Sequence, residues 1–346
     1  MVADCAGLFQ DTGESTALAE TILGLAAQNL LSPIILFFAL GLGAALVRSD
    51  LSVPEAAAKA LSIYLLFAIG FKGGVSVSGH GIDAGLLMSL LAGFVLSFAI
   101  PFVAFGLLRV MTSLGTVDAA AVAGHYGSIS IVTFVAATSV LQSQGLASEG
   151  YLVAVAAVME APAILSALWL ASRASSDGTG QPGRTSGLWR EIMLNGSIVL
   201  LVGSFVIGFL SGPKGLADIE SFIVAPFKGV LCLFLLDMGL VAGRGLRASA
   251  KELRPGLIGF GILMPMIGSV AGLVAASLIG LSTGGTVLLM TLSASASYIA
   301  VPAAMRVALP EANPSIYLTM SLGITFPFNL TIGIPLYLSI AQAIGG

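Results

Sequence analysis

From Pro255 to Met305 the chain carries no Asp, Glu, Lys or Arg, and the same holds for 21–47, 84–108, 119–148, 192–213 and 312–346. A helix crosses a hydrocarbon core of about 30 Å with about 20 apolar residues. Each stretch is therefore long enough to span a bilayer, and 255–305 is long enough to do so twice, with a turn at Gly280-Leu-Ser-Thr-Gly-Gly285. Three more spans tolerate one charge each, around Lys72, Glu160 and Asp237. Ten helices are predicted, at 29–47, 56–78, 84–111, 117–141, 149–172, 191–211, 221–243, 255–279, 284–308 and 314–343. Charged residues are 9% of the chain, against about 25% in a soluble domain. That excludes a water-soluble surface, and the net charge of -3 offers no basic stripe for nucleic acid. Unbroken apolar runs, rather than short alternating ones, argue for an all-α membrane protein over a β-barrel. The partner to expect first is the lipid bilayer.

Basic residues give an orientation. Arg48, Lys59, Arg109, Arg173, Arg184, Arg190, Arg244, Arg247, Lys251, Arg254 and Arg306 fall in or beside the odd-numbered connections, leaving Lys72, Lys214 and Lys228 for the other side. Odd connections are thus expected in the cytoplasm and both termini outside. The first twenty residues hold Asp4, Asp11, Glu14 and Glu20 but no Lys or Arg, so no cleaved leader is expected. Cys5 and Cys232 show no metal or redox spacing.

The chain repeats itself. Ile69-Gly-Phe-Lys-Gly-Gly74 is answered by Met238-Gly-Leu-Val-Ala-Gly243. Tyr126-Gly-Ser-Ile-Ser130 is answered by Ser293-Ala-Ser-Ala-Ser297 at an offset of 167, and Glu160-Ala-Pro162 by Thr325-Phe-Pro327 at 165. Five spans per copy is an odd number, so the second copy enters from the opposite face, as in inverted-repeat transporters. The expected organisation is an extracytoplasmic segment 1–28, a first repeat 29–172, a cytoplasmic linker 173–190 and a second repeat 191–346.

Serines at every second position do not share one face of a helix, but they do share one side of an extended segment. Helices 4 and 9 are therefore expected to be broken at Ser128–Ser130 and Ser293–Ser297. Half-helix N-termini suit an anion, and freed carbonyls and hydroxyls suit Na⁺; close packing of small residues is the plainer alternative. Lys72 is placed to hold an anion or to extend to the interface. Glu160, beside Pro162, is placed to ligate a cation or take a proton. Asp237 is placed to pair with Lys72 or to ligate a cation. Asn329 and Thr331 flank a proline break in helix 10. His125 reads as a packed polar residue before a proton relay. No HExxH, GxSxG or P-loop pattern supports an enzyme or an ATP-driven pump.

Gly70-Phe-Lys-Gly-Gly74, Thr116-Val-Asp-Ala119, Met159-Glu-Ala-Pro162 and Pro310-Glu-Ala-Asn-Pro-Ser315, with Ile334-Pro-Leu336 and Gly345-Gly346, carry a resemblance from about Ser32 to Gly346. The chain resembles the sodium-dependent bicarbonate transporter family, the SbtA type of cyanobacteria and its bacterial relatives, on a non-cyanobacterial branch. The resemblance implies ten helices in a core and a gate domain, a homotrimer in the bacterial cytoplasmic membrane, a PII-like cytoplasmic regulator, and Na⁺-coupled bicarbonate uptake with no organic cofactor. It implies a site where helices 4 and 9 meet. Candidate substrate ligands are Gly127, Ser128, Ser130, Ser293, Ser295 and Ser297, with Lys72, Gly73 and Gly74. Candidate Na⁺ ligands are Glu160, Asp237, Thr133, Tyr298 and Asn329. Tyr298 stands where cyanobacterial members carry an acidic residue, and the linker Ser172–Gly187 is shorter than theirs. Alternating access of a core past a gate is the expected mechanism. Other readings are a Na⁺- or H⁺-coupled carrier of another small carboxylate, a passive anion channel and an intramembrane enzyme.

Overall fold

The structure is a computed structural model that describes residues 31–80, 83–174, 196–248, 253–298, 301–302, 305 and 309–345. The segment 1–28, most of the linker 173–190 and much of the second half of the ninth predicted span lie outside the described residues, as do Lys251 and Arg306. The described chain is helical throughout: α1 (Pro33–Leu46), α2 (Glu55–His80), α3 (Ala84–Met111), α4 (Thr116–Gly127), α5 (Ile131–Ser143), α6 (Leu152–Val158), α7 (Glu160–Ala174), α8 (Gly196–Ile223), α9 (Phe227–Ala248), α10 (Pro255–Ile279), α11 (Thr283–Ala294) and α12 (Pro314–Gly345). Among the described residues eight helical spans are long and apolar enough to cross a membrane, and α1 and α11 are shorter apolar helices. The exposed faces are apolar: Leu87, Leu91, Phe94 and Phe98 form one outward stripe on α3, a surface suited to lipid.

Helix ends follow local chemistry. The Asp83 carboxylate accepts from Leu86 N (2.8 Å) to start α3, and Ser282 Oγ accepts from Gly285 N (3.1 Å) to start α11, as N-caps do. Ser282 N and Oγ in turn donate to Glu149 (2.8 and 3.0 Å), tying two connections at one end of the bundle. At the other end arginines close the connections. Arg109 donates to Leu114 O (2.8 Å), Arg244 to Leu51 O (3.0 Å), Arg247 to Ala45 O (2.9 Å) and Arg254 to Ser113 Oγ (3.0 Å). Arginines of two odd connections therefore tie three such connections together at one end.

Two boundaries differ from expectation. The sixth span does not stop at 211. It turns at Gly212 (φ 61°, ψ -160°), a conformation open to glycine, and Pro213 starts a further helical stretch to Ile223. Lys214, Asp218 and Glu220 make that stretch look like a loop in sequence. The seventh span accordingly begins at Phe227, not 221. In the tenth span Pro327 causes no break. The helix widens instead into π-helical turns at Thr319–Thr325 and Asn329–Gly333, which accommodate displaced backbone groups.

Packing pairs α1 with α9 and α2 with α8. At the glycines the contacts reach the backbone of the facing helix. A Cβ added at Gly41 would collide with Leu236 O, at Gly239 with Phe38 O, at Gly74 with Phe205 O and at Gly208 with Phe71 O. Small residues allow such approach, and van der Waals contact drives association in lipid. Substituting Gly74→Val or Gly208→Val is expected to destabilise the protein by ~1–3 kcal/mol. Gly43, with nothing within 4 Å of its added Cβ, should tolerate Ala without loss. Thermal unfolding followed by size-exclusion recovery in detergent checks both.

Candidate functional site

α4 ends at Gly127, where an added Cβ would strike the Pro101 ring of α3. The chain then runs extended through Ser128 (φ -89°, ψ 168°) to Ser130 (φ -104°, ψ 107°) before α5 begins. Ser130 Oγ accepts from Thr133 N (3.2 Å) and so caps α5. α11 is the same length as α4, 12 residues, and ends the same way, with Ser295 extended (φ -86°, ψ 163°). Helical structure returns at Val301, whose N–H reaches Ser297 Oγ (3.4 Å). The two extended segments hold each other: Ser130 N donates to Ser295 Oγ (2.9 Å) and Ser297 N to His125 O (2.8 Å). Both helices unwind at these serines, except that Ser293 stays within the last turn of α11, and the two stretches meet.

Further groups converge on this crossing. Glu160, buried at the break between α6 and α7, accepts from Ser128 Oγ (2.6 Å). Asn329 Nδ2 donates to Ala294 O (2.9 Å), the last residue of α11, and its Oδ1 accepts from Tyr337 OH (2.8 Å). Tyr298 is buried with its hydroxyl set against Ser130, short of well-formed hydrogen-bond geometry. Its ring packs edge-on to Phe326 (5.3 Å). Thr133 Oγ1 and Ser293 Oγ are buried and have no hydrogen-bond partner. Buried polar groups are nearly always paired, so orphaned hydroxyls beside two helix breaks point to a ligand. His125 donates from Nδ1 to Ala121 O (2.7 Å) and stacks on Tyr317 (4.4 Å), with Nε2 unpartnered.

Four candidates lie elsewhere. Lys72 Nζ sits 3.9 Å over the Phe227 ring, a cation–π contact, and no ion pair joins it to Asp237. Gly73 lies against Val153 and Gly74 against α8. Asp237 is buried on α9, within reach of the field of Arg244.

Several supporting residues escape sequence reading. Ser97 on α3 bridges the α6–α7 break, donating to Met159 O and accepting from Ala163 N (3.2 Å). Tyr126 OH and Thr325 Oγ1 share a bond of 2.6 Å while Thr325 donates to Gly261 O (2.7 Å). Thr325 stood in the repeat match with Glu160, which is the one sequence signal that singled it out. Tyr337 carried none.

A cleft of about 1230 Å³ runs between α2, α8 and α9 on one side and α12 on the other, and Tyr298 is the residue of the crossing that lines it. Each helix break presents carbonyls at the end of one half and N–H groups at the start of the next, so the crossing suits a cation and an anion together. Spans of this length around a polar centre built from helix breaks define a multi-pass helical membrane protein. The family model of the Na⁺-dependent bicarbonate transporter superfamily matches residues 33–342, and the chain belongs to that family. A search of curated proteins found no match.

Asn329→Ala removes a donor from Ala294 O and an acceptor from Tyr337. Leaving buried groups unpaired costs ~1–3 kcal/mol, so a lowered melting temperature is expected, and Asn329→Asp should not rescue it, because a carboxylate brings no donor to Ala294 O.

Proposed function

We propose that the protein imports bicarbonate together with Na⁺ by alternating access, from the crossing of the two broken helices. The observation that carries this is the orphaned pair Thr133 Oγ1 and Ser293 Oγ beside the Ser130–Ser295 contact. Ser128, Ser130, Ser293, Ser295 and Ser297, with Gly127, are the substrate candidates. Glu160, Thr133, Asn329 and Tyr298 are the Na⁺ candidates nearest them. Lys72, Gly73, Gly74 and Asp237 belong to the surrounding helices in this reading rather than to the ligand shell.

The ten-span inverted repeat is part of the same proposal. α4 and α11 start and stop 167 residues apart, and α1 pairs with α9 as α8 pairs with α2, which is an exchange of partners between halves. α1, α2, α8 and α9 form the gate in this reading and the remaining helices the core, which moves past it as an elevator. The Arg-rich end is cytoplasmic and both termini are outside, in the inner membrane of a bacterium. The homotrimer and PII-like regulator come from the family resemblance alone.

Access is asymmetric. Met238, Val241, Ala242, Pro314 and Ser315 line the large cleft. Their repeat counterparts Ile69, Lys72, Gly73, Ser148 and Glu149 line a cavity of about 130 Å³. An inward-open state has this form, and exchanging the two arrangements gives the outward-open one.

Proteoliposomes should accumulate labelled bicarbonate when a Na⁺ gradient is imposed; uptake indifferent to Na⁺ of either polarity would overturn the proposal. Ser130→Ala and Ser295→Ala should reduce uptake at least tenfold with the protein still folded. Full activity in both would assign those serines to packing. The buried Glu160 carboxylate favours one second reading, coupling to H⁺ with a small carboxylate as cargo. A proton gradient replacing Na⁺, with loss of that effect in Glu160→Gln, would select it.

A further inference from the structure

The large cleft is far more than a small hydrated anion needs. Its walls are apolar, with Leu66, Leu200, Phe234 and Leu322 among them, and Tyr298 lies at the deep end. Lys59, in the second turn of α2, and Arg244, near the end of α9, line it at the Arg-rich end of the bundle. Among the described residues that line it there is no Asp or Glu. Arg244 gives one N–H to Leu51 O and keeps its other donors. At 1.5 Å per residue, the wall runs about 10 Å from Lys59 to Leu66 and about 15 Å from Arg244 to Phe234. The result is an apolar cleft with Lys59 and Arg244 at its Arg-rich end. Lys and Arg at that depth lie at the membrane interface.

We propose that this cleft is a binding site for a medium-chain fatty carboxylate, with its head between Lys59 and Arg244 and its tail directed toward Tyr298. Charge complementarity selects the anionic head, and the apolar wall, sized for a chain of eight to twelve carbons by the depth above (~10–15 Å), selects the tail. This goes beyond the transport reading and does not depend on which ion drives uptake. A tail in the slot fills the space that the core must close, so the ligand is an inhibitor acting from the cytoplasmic side.

The test uses the purified full chain in nanodiscs and a dansylated undecanoate as probe. Saturable fluorescence enhancement is expected, displaced by decanoate and not by decanol or decyltrimethylammonium. Two variants attack opposite ends of the slot. Lys59→Gln combined with Arg244→Gln removes the rim charge, and Leu200→Trp fills the tail region with the rim intact. Each should weaken binding at least tenfold. Equal displacement by all three decyl compounds, or unchanged affinity in both variants, overturns the proposal in favour of general partitioning into lipid. In proteoliposomes decanoate should slow uptake by the wild type and have a smaller effect on Leu200→Trp. Probe binding with no bicarbonate uptake would sink the transport reading and leave this one standing; uptake without specific binding does the reverse.

Discussion

Inside a bilayer no water is available to a broken helix, so an interrupted span survives only if protein groups take up the freed backbone. That constraint organises this molecule. Ser128–Ser130 and Ser295–Ser297 leave their helices in the interior, and each supplies partners for the other: a serine hydroxyl for one N–H, a helix-end carbonyl for another. Asn329 takes the carbonyl of Ala294, and Ser97 serves the third break at Met159. Thr133 Oγ1 and Ser293 Oγ are left without partners at this crossing, as are His125 Nε2 and Tyr298 OH.

The rest of the fold holds that crossing in place. α3 and α10 flank α4 and α11, and small residues let them approach: Gly127 meets Pro101, and Gly268 meets the Ser293 carbonyl. Glu160 is brought in by a helix that itself breaks one residue earlier. The aromatic contacts Tyr298–Phe326 and Phe326–Phe38 carry the packing from the crossing across α12 to α1, between the two sets of helices.

Much of this was legible in the sequence, for definite reasons. Charge-free runs mark spans because charge is costly in hydrocarbon, and alternate serines mark unwinding because no helical face accounts for them. Both helices open at their serines, although Ser293 stays in the last turn of α11, and the bond from Ser128 to Glu160 had no sequence signal. What failed had no local signature. The Gly212 turn is followed by charged residues that resume a helix, and a reader sees only polarity there. Pro327 looks like a break, yet a π-helical turn on either side absorbs it. Lys72 reads as an anion ligand or as a side chain reaching for the interface, and its contact with the Phe227 ring, 155 residues away in sequence, had no local signal. Long-range partners such as Tyr337 for Asn329 follow from packing, which periodicity does not encode.

The glycine contacts have a mechanical consequence. At their glycines α1 with α9, and α2 with α8, touch through backbone atoms rather than through side chains that rotate out of the way. Such a pair has no soft layer to compress, and sliding one helix along the other would drive carbonyls into Cα atoms. In the proposed transport cycle these four helices are the stiff stator, and displacement is taken up along the seam between α9 and α12, beside the large cleft.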